Sequence, residues 1–464
     1  MTIIKNNITQ HWDKRHGEIL VSILNLFDEE NIRYFIIRNY EGLPDRNSSK
    51  DVDIIVEPGK IRQAVDILKT IYKENGLIYF YKIQVERGHN CRGMNIKTNM
   101  AIHIDLMEGY FSRGSELFSF DELYKETDTY NDFKILNEFY SGLMVFIYKQ
   151  FGYKNPVLKQ KYRDIIYGTY KTYPKFRELI SKLVGNKLTN SIFSAIEERD
   201  FDKMLQHSNQ LSNALSIYAL KKNPIQTLRD KTYFYLEKIN RVIFSYNKFS
   251  RNFSVMAPDG AGKTTFLEAL ISKLEFYYVD DKNSDRYSVY HFRPRILPNL
   301  GAIGKKIGIQ KTDEDFTNPH RSKSANTISS LFRISYYWLD YMIGYSYLVR
   351  KDVQFDKVSI FDRYSYDFIV DPGRTKLNLP LWVRKLYVEC IPHPKIVFYL
   401  DADPEVIYKR KQELTLDEIK RQVIEYKKVA RSHKRFVTLD ANRSTNESAD
   451  EALKVILDTF TKKL

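Results

Sequence analysis

A glycine-rich segment in the second half of the chain constrains the fold more than any other feature. Residues 257–265 read Ala-Pro-Asp-Gly-Ala-Gly-Lys-Thr-Thr; the apolar run 253–256 precedes them, and the helically spaced run 266–271 follows. A strand, a turn containing Gly260 and Gly262, and a helix are typical of a phosphate-binding loop. In such a loop, successive backbone N–H groups and the helix N-terminus converge on one anion. The segment therefore predicts a P-loop inside an α/β domain.

The residues of this loop have separate predicted roles. Lys263 would reach the β- and γ-phosphates of a nucleotide, and the Thr264 hydroxyl would bind Mg²⁺. The sequence thus predicts ATP and Mg²⁺ as cofactors. The positions expected to line the nucleotide phosphates are Gly260, Ala261, Gly262, Lys263, Thr264 and Thr265.

A second motif, Asp362-Arg363-Tyr364, follows the strand candidate 357–361. At the carboxyl end of a strand in an open α/β sheet, an Asp can hold Mg²⁺ and an Arg can clamp a phosphate. Further strand candidates at 395–400 and 436–441 alternate with helical segments. This alternation predicts a parallel sheet with helices on both faces.

From about residue 250 to 464, the chain resembles thymidylate-kinase-like nucleoside monophosphate kinases. Three segments carry the resemblance: 258–265, 362–364 and 399–405. The resemblance implies that Arg363 contacts the acceptor phosphate, that Asp362 lies near the metal and that Asp259 faces the acceptor. It also implies a basic lid over the donor phosphates, for which Arg410 is the leading candidate, with Lys409, Lys420 and Arg421 as others.

Three further arginines are predicted to bind the acceptor. Arg293 and Arg295 end a strand candidate at the point where the resemblance implies an acceptor-binding arginine. Arg333 lies on the helical segment 328–349, which we predict to be a mostly buried core helix because Arg333 and Asp340 interrupt its apolar run. The long segment 296–324 is interpreted as a substrate loop or lid. Thymidine monophosphate itself is not the favoured acceptor, because this segment is unlike that of a plain thymidylate kinase.

The first part of the chain carries a different pattern. Asp51 and Asp53 share one face of a strand candidate, and Asp105 lies on a later one. Three carboxylates on adjacent strands can hold Mg²⁺ and position a nucleoside triphosphate. Residues 15–130 resemble the nucleotidyltransferase fold, which implies metal binding by these aspartates. Arg38-Asn39 stands near the place where that family carries a Gly-Ser pair.

Three regions are predicted: an α+β nucleotidyltransferase-like domain at 1–130, a helical region at 131–250 and the kinase domain at 251–464. The length of 464 residues is enough for two or three domains, and 43% apolar residues allow full cores. The net charge of +15 suits phosphorylated substrates, but the basic residues are dispersed and match no nucleic-acid motif. Two distant cysteines and the lack of an apolar signal core favour a cytoplasmic protein without a transmembrane segment.

The main hypothesis is an ATP- and Mg²⁺-dependent kinase with a small-molecule acceptor, either a nucleoside monophosphate or a sugar or sugar phosphate. The pairing of the two folds is similar to proteins found with bacterial surface-polysaccharide biosynthesis. Two alternatives stay open: a nucleotidyltransferase acting through Asp51, Asp53 and Asp105, and an ATP-binding regulator with slow turnover. No specific nucleic-acid partner is expected, and the oligomeric state, a homodimer included, is open.

Overall fold

The computed structural model describes residues 12–47, 49, 51–83, 88–151, 158–278, 287–298, 300 and 326–461. The chain divides into two compact units, which meet in the sequence between Ile239 and Asn240. Most of the predicted substrate loop at 296–324 lies outside the described residues.

The first unit contains a seven-stranded mixed sheet with the strand order β3-β4-β5-β2-β1-β9-β8, and β6 and β7 form a separate pair. Strands β2 and β5 are parallel neighbours, with Asp53 opposite Asp105. The strands are β1 Tyr34–Ile36, β2 Val52–Val56, β3 Ile78–Ile83, β4 Gly88–Asn95, β5 Met100–Glu108, β6 Phe111–Ser112, β7 Ser115–Glu116, β8 Thr127–Tyr130 and β9 Phe133–Leu136.

Side chains alternate along β2 between the two faces of the sheet. Val52, Ile54 and Val56 share a core with helices α1 (Lys14–Glu29) and α2 (Ile61–Glu74). Because successive side chains of a strand point to opposite faces, this burial turns Asp53 toward the other face of the sheet.

Eight further helices lie in the described part of this unit, and several of them share a core with the sheet: Phe35 and Ile55 lie in one apolar cluster with Phe146 and Leu215. These helices lie between residues 120 and 239. They are α3 Phe120–Tyr124, α4 Glu138–Phe151, α5 Gln160–Thr172, α6 Lys175–Val184, α7 Asn186–Glu197, α8 Phe201–Gln206, α9 Ser208–Lys222 and α10 Pro224–Ile239.

The second unit contains a five-stranded sheet with the order β11-β12-β10-β13-β14, in which every neighbouring pair is parallel. The predicted parallel sheet of the C-terminal region is thereby confirmed. A π-helical turn, Asn240–Phe244, opens this unit. Its other elements are α11 Tyr246–Phe249, β10 Arg251–Met256, α12 Lys263–Tyr278, β11 Tyr287–His291, α13 Thr327–Gln354, β12 Val358–Asp362, α14 Asp367–Val370, α15 Leu381–Glu389, β13 Ile396–Asp401, α16 Pro404–Arg410, α17 Leu416–Ser432, β14 Phe436–Asp440 and α18 Thr445–Thr461.

Helix α13 is the long apolar segment that the sequence predicts to be mostly buried. One side carries buried residues such as Ile334 and Tyr341, whereas Ile328 and Phe332 on another side are largely exposed. The prediction therefore holds for one side of the helix only. Among the described residues, no helix combines the length and apolarity needed to cross a membrane.

Candidate active site

The phosphate loop lies between the buried central strand β10 and helix α12, which begins at Lys263. Gly260 and Gly262 have φ angles of +89° and +83°, a region that favours glycine. A Cβ on Gly260 would lie 3.0 Å from the Cβ of Lys411 and 3.2 Å from the carbonyl oxygen of Ile407. The turn therefore requires glycine both for its torsion and for the close approach of helix α16. Thr264 and Thr265 are exposed at the start of α12, whereas Ala261 is buried.

Lys263 and Asp362 meet at the carboxyl edge of the sheet, because β10 and β12 are parallel neighbours with Val255 opposite Asp362. The Lys263 ammonium donates to Oδ1 of Asp362, and Nδ1 of His291 lies 2.8 Å from Oδ2. Burial lowers the pKa of Lys263, and the nearby charge of Arg363 adds to this effect. Burial by itself would raise the pKa of Asp362, but the Lys263 ammonium outweighs it and holds that pKa below its usual value. An ion pair thus lies at the position where the sequence predicts that the donor phosphates bind.

Arg363 is fixed by its backbone and by two carboxylates. Its φ is +71°, and its N–H donates to the carbonyl of Val255 at 3.0 Å. Nη2 donates to Asp259 of the phosphate loop, and Nη1 donates to Asp367 at 3.2 Å. Asp367 is fully buried and also accepts a hydrogen bond of 2.8 Å from Tyr426. The predicted acceptor-binding arginine therefore points at the predicted acceptor-facing carboxylate.

Arg374, which is not among the predicted site residues, completes this network. Nη2 donates to the second oxygen of Asp259, and Nε donates to Asp371 at 3.2 Å. Burial would raise the pKa of Asp259, but Arg363 and Arg374 outweigh it and hold that pKa far below its usual range. Asp259 consequently stays ionised at neutral pH and is a weak base.

The predicted lid residue Arg410 ends helix α16, which Asp403 caps by accepting from the N–H of Glu405 at 2.8 Å. The Arg410 side chain is exposed, and its Nη1 would lie 3.7 Å from a Cβ placed on Gly262. Arg410 is therefore adjacent to the phosphate loop. Two of the other basic candidates pair with carboxylates: Lys420 with Glu405 at 3.0 Å, and Arg421 with Glu418 at 2.6 Å. Lys409 is exposed near the end of the same helix as Arg410.

Two of the remaining predicted acceptor-binding arginines, Arg293 and Arg295, contact Asp340 on α13, and Arg333 lies on the same helix. Arg293 is buried and pairs with Asp340 at 2.7 Å, and Asp340 also accepts from the backbone N–H groups of Arg295 at 3.0 Å and Leu297 at 2.7 Å. Asp340 thereby fixes the chain after β11. The Arg295 side chain is exposed, and within the described residues the buried Nε of Arg333 makes no hydrogen bond. Acceptor binding by these three arginines stays a prediction.

Two residues of this site have sequence signals that could have revealed them. His291 is the last residue of β11 and lies opposite Asp362 on the neighbouring parallel strand. Because ligands of open α/β sheets bind beyond the carboxyl ends of the strands, a polar residue at this position is a candidate site residue. Arg374 follows Pro372 and Gly373 shortly after the Asp-Arg motif, which marks a turn carrying a charged residue.

The oxygen donors at the phosphate loop suit Mg²⁺, because the Thr264 hydroxyl is exposed and Asp362 supplies a carboxylate.

In the first unit, the carboxylate oxygens of Asp51, Asp53 and Asp105 lie within 4.8 Å of one another. Two oxygens bound to one divalent cation lie at most twice the metal–oxygen distance apart, and that distance is roughly 2.0–2.6 Å for Mg²⁺ and Ca²⁺, so these carboxylates are close enough to share a cation after small adjustments. The structure thus brings together all three predicted acidic residues.

Neighbouring polar groups orient the three aspartates of the first unit. Arg38 donates to Oδ2 of Asp53 from Nε at 2.9 Å and from Nη2 at 2.8 Å. The hydroxyl of Ser49 donates to Asp51 at 2.6 Å, and the amide of Asn90 donates to Asp105. Arg38 therefore offsets part of the negative charge of this cluster through Asp53.

Comparison with known proteins supports the second unit as a phosphotransferase. Residues 321–452 match the family model described as thymidylate kinase. The matched range contains Asp362, Arg363, Arg374 and Arg410, and it begins after the phosphate loop. The C-terminal region is thus thymidylate-kinase-like, and phosphoryl transfer of the nucleotide-kinase type is supported for it. No curated protein was found to match the chain.

Proposed function

We propose that the second unit transfers the γ-phosphoryl group of ATP to a small-molecule acceptor, either a nucleoside monophosphate or a sugar or sugar phosphate. One observation carries this proposal: the phosphate-loop Lys263 contacts Asp362 of the Asp-Arg motif at one edge of a parallel sheet. Phosphoryl transfer depends mainly on positioning and charge neutralisation, which is what these residues supply.

Each residue has a defined part in this reaction. Lys263 and Arg410 would neutralise charge on the donor phosphates, while Thr264 and Asp362 would hold Mg²⁺. Mg²⁺ held by these two residues would offset the negative charge of the donor phosphates. Arg363 would position the acceptor, and Asp259 would orient it.

We also propose a cytoplasmic role in surface-polysaccharide biosynthesis. The support for this role is the pairing of a thymidylate-kinase-like region with a region resembling nucleotidyltransferases. Identification of the products formed from purified acceptors tests the chemistry. Loss of surface polysaccharide in a strain carrying Lys263→Ala tests the biological role.

The kinase is tested by incubating the full chain with ATP and Mg²⁺ and a panel of nucleoside monophosphates, sugars and sugar phosphates, with products identified by mass spectrometry. We expect ADP and one phosphorylated acceptor, both lost in Lys263→Ala. Lys454→Ala, which changes an exposed lysine of α18, is the matched control and should retain the activity. ATP binding without repeated turnover on any acceptor would instead identify a nucleotide-binding regulator.

A second candidate function rests on the closeness of the carboxylate oxygens of Asp51, Asp53 and Asp105. Such a cluster can hold a cation that positions a nucleoside triphosphate for nucleotidyl transfer. This activity would release pyrophosphate, survive Lys263→Ala and disappear in Asp53→Asn. Asp66→Asn, at an exposed position on α2, is the control. Absence of pyrophosphate with all four nucleoside triphosphates would reject the candidate.

A further inference from the structure

Both oxygens of the Asp362 carboxylate are contacted by side chains, and these come from two different elements. The ammonium of Lys263, at the start of α12, donates to Oδ1. The ring of His291, at the end of β11, lies with Nδ1 2.8 Å from Oδ2. The side chains of Lys263 and Asp362 are 13% and 14% exposed, whereas that of His291 is 50% exposed. Lys263 and Asp362 have assigned parts in the proposed reaction, and His291 is the third member of this group.

The direction of the hydrogen bond between His291 and Asp362 follows from the charge of the carboxylate. Burial alone would raise the pKa of Asp362, but the Lys263 ammonium and the His291 hydrogen bond outweigh it and hold that pKa below its usual value. Asp362 is therefore ionised at neutral pH, and an ionised carboxylate only accepts hydrogen bonds. Nδ1 of His291 consequently carries a proton and donates to Oδ2.

The backbone fixes the position of the His291 ring. His291 stands opposite Asp362 in the parallel register, so both side chains point to the same face of the sheet. The chain turns directly after it: Phe292 has a φ of +60°, its N–H donates to the carbonyl of Asp362 at 2.8 Å, and its carbonyl accepts from the Tyr341 hydroxyl. The ring is thus held beside Oδ2, whereas the Lys263 ammonium ends a flexible four-carbon stem.

The two contacts of Asp362 should respond differently to a bound nucleotide. In the proposed reaction, Lys263 turns to the donor phosphates, which releases Oδ1. A cation at Oδ1 and the Lys263 ammonium repel each other, so both do not stay at this oxygen. A carboxylate that loses one partner keeps its orientation only if the other partner remains. Groups that hydrogen-bond a metal ligand fix its orientation in this way, and their removal lowers metal affinity by roughly 10–100-fold.

We infer that His291 is a positioning residue of the kinase site: it holds Oδ2 of Asp362 and so leaves Oδ1 for Mg²⁺ when Lys263 turns to the donor phosphates. The inference rests on the proposed kinase function. In this scheme, His291 acts through Asp362 and not on the nucleotide itself. Its effect should therefore appear in how much Mg²⁺ tightens nucleotide binding, and not in the affinity for the nucleotide without metal.

The test measures this Mg²⁺-dependent gain in affinity. The full chain is titrated by calorimetry with the β,γ-imido analogue of ATP, once with Mg²⁺ and once with EDTA. All proteins carry Asp53→Asn, which alters the other candidate cation site. We expect His291→Leu to reduce the gain at least about tenfold, while the affinity in EDTA stays within about threefold of the parent protein. His291→Asn should keep most of the gain, because the amide nitrogen of asparagine can replace Nδ1 as the donor to Asp362.

The outcomes separate this inference from the proposed function. A full gain in His291→Leu, or an equal loss of affinity with Mg²⁺ and with EDTA, would overturn the inference and leave the proposed kinase intact. A gain as small in His291→Asn as in His291→Leu would also overturn it, because the hydrogen bond to Asp362 would then not be the cause. His207→Leu, which changes a histidine of the first unit, is the control and should keep the full gain. If the parent protein binds the analogue in neither condition, the proposed kinase function fails and the inference fails with it.

Discussion

Both units gather carboxylates on or next to parallel neighbouring strands but neutralise them differently. In the second unit, Asp362 and Asp259 each face a cationic side chain, Lys263 and Arg363 respectively. In the first unit, the oxygens of three aspartates lie within 4.8 Å of one another, and Arg38 contacts Asp53. Like charges at such distances repel, so the first unit gains from a bound cation. The second unit has positive groups that an anionic donor can attract away from their partners.

Removal of Lys263 should have the largest effect. Loss of one charge-stabilising donor from a water-excluded site reduces kcat by roughly 10²–10³-fold. We expect Lys263→Ala to lose at least this much phosphoryl transfer in a coupled ADP assay, while the Lys454→Ala control keeps wild-type rates. Equal loss in both variants would show that the effect is not specific to the phosphate loop.

Removal of Arg363 should destabilise the second unit as well as inactivate it. Arg363→Ala leaves the fully buried Asp367 without its guanidinium partner. Breaking a buried ion pair by removing one member costs about 3–5 kcal/mol. Urea unfolding monitored by circular dichroism should show this loss, and Arg443→Ala should change the free energy of unfolding by less than about 0.5 kcal/mol. A stability loss below 1 kcal/mol in Arg363→Ala would mean that Asp367 is solvated or held by other groups.

Binding of a divalent cation in the absence of nucleotide should distinguish the first unit from the second. A cation that binds only the folded state at one hundred times its dissociation constant adds about 2.7 kcal/mol of stability. Without nucleotide, we expect Mn²⁺ to stabilise the wild-type chain in calorimetric unfolding and Asp53→Asn to abolish most of that gain. Asp66→Asn should respond like the wild type. An equal gain in Asp53→Asn would place the cation elsewhere.

The smallest expected effect is on the loss of folding stability at acid pH. The folded-state pKa of Asp259 lies below its unfolded value, so its pairing stabilises the fold above an ordinary Asp pKa of about 3.9 and is lost as the pH falls below it. Asp259→Asn should therefore lose about 1 kcal/mol less stability than wild type between pH 5 and pH 2. Identical acid profiles would show that the two arginines do not favour the ionised form.

The phosphate loop and the parallel sheet could be predicted because their signals are local. Glycines at 260 and 262, Lys263 and the flanking apolar runs lie within a short segment, and the structure confirms a strand before the loop and a helix from Lys263. The closeness of Asp51, Asp53 and Asp105 was also foreseeable, because strand alternation fixes the face of each side chain.

The partners of the acceptor side could not be predicted in this way. Arg374 contacts Asp259 across 115 residues of sequence, and Tyr426 contacts Asp367 across 59. Arg293, which is predicted to bind the acceptor, pairs with Asp340, 47 residues away. Nothing in the local spacing specifies which cation neutralises which carboxylate.

The sequence by itself determined where a phosphate could bind, because glycine torsions, strand alternation and helix starts depend on near neighbours. Only the tertiary structure decided how the charges pair, because ion pairs form between side chains that folding brings together from distant segments. The contacts of Arg363 and Arg374 with Asp259, Asp367 and Asp371 exist only in the folded chain.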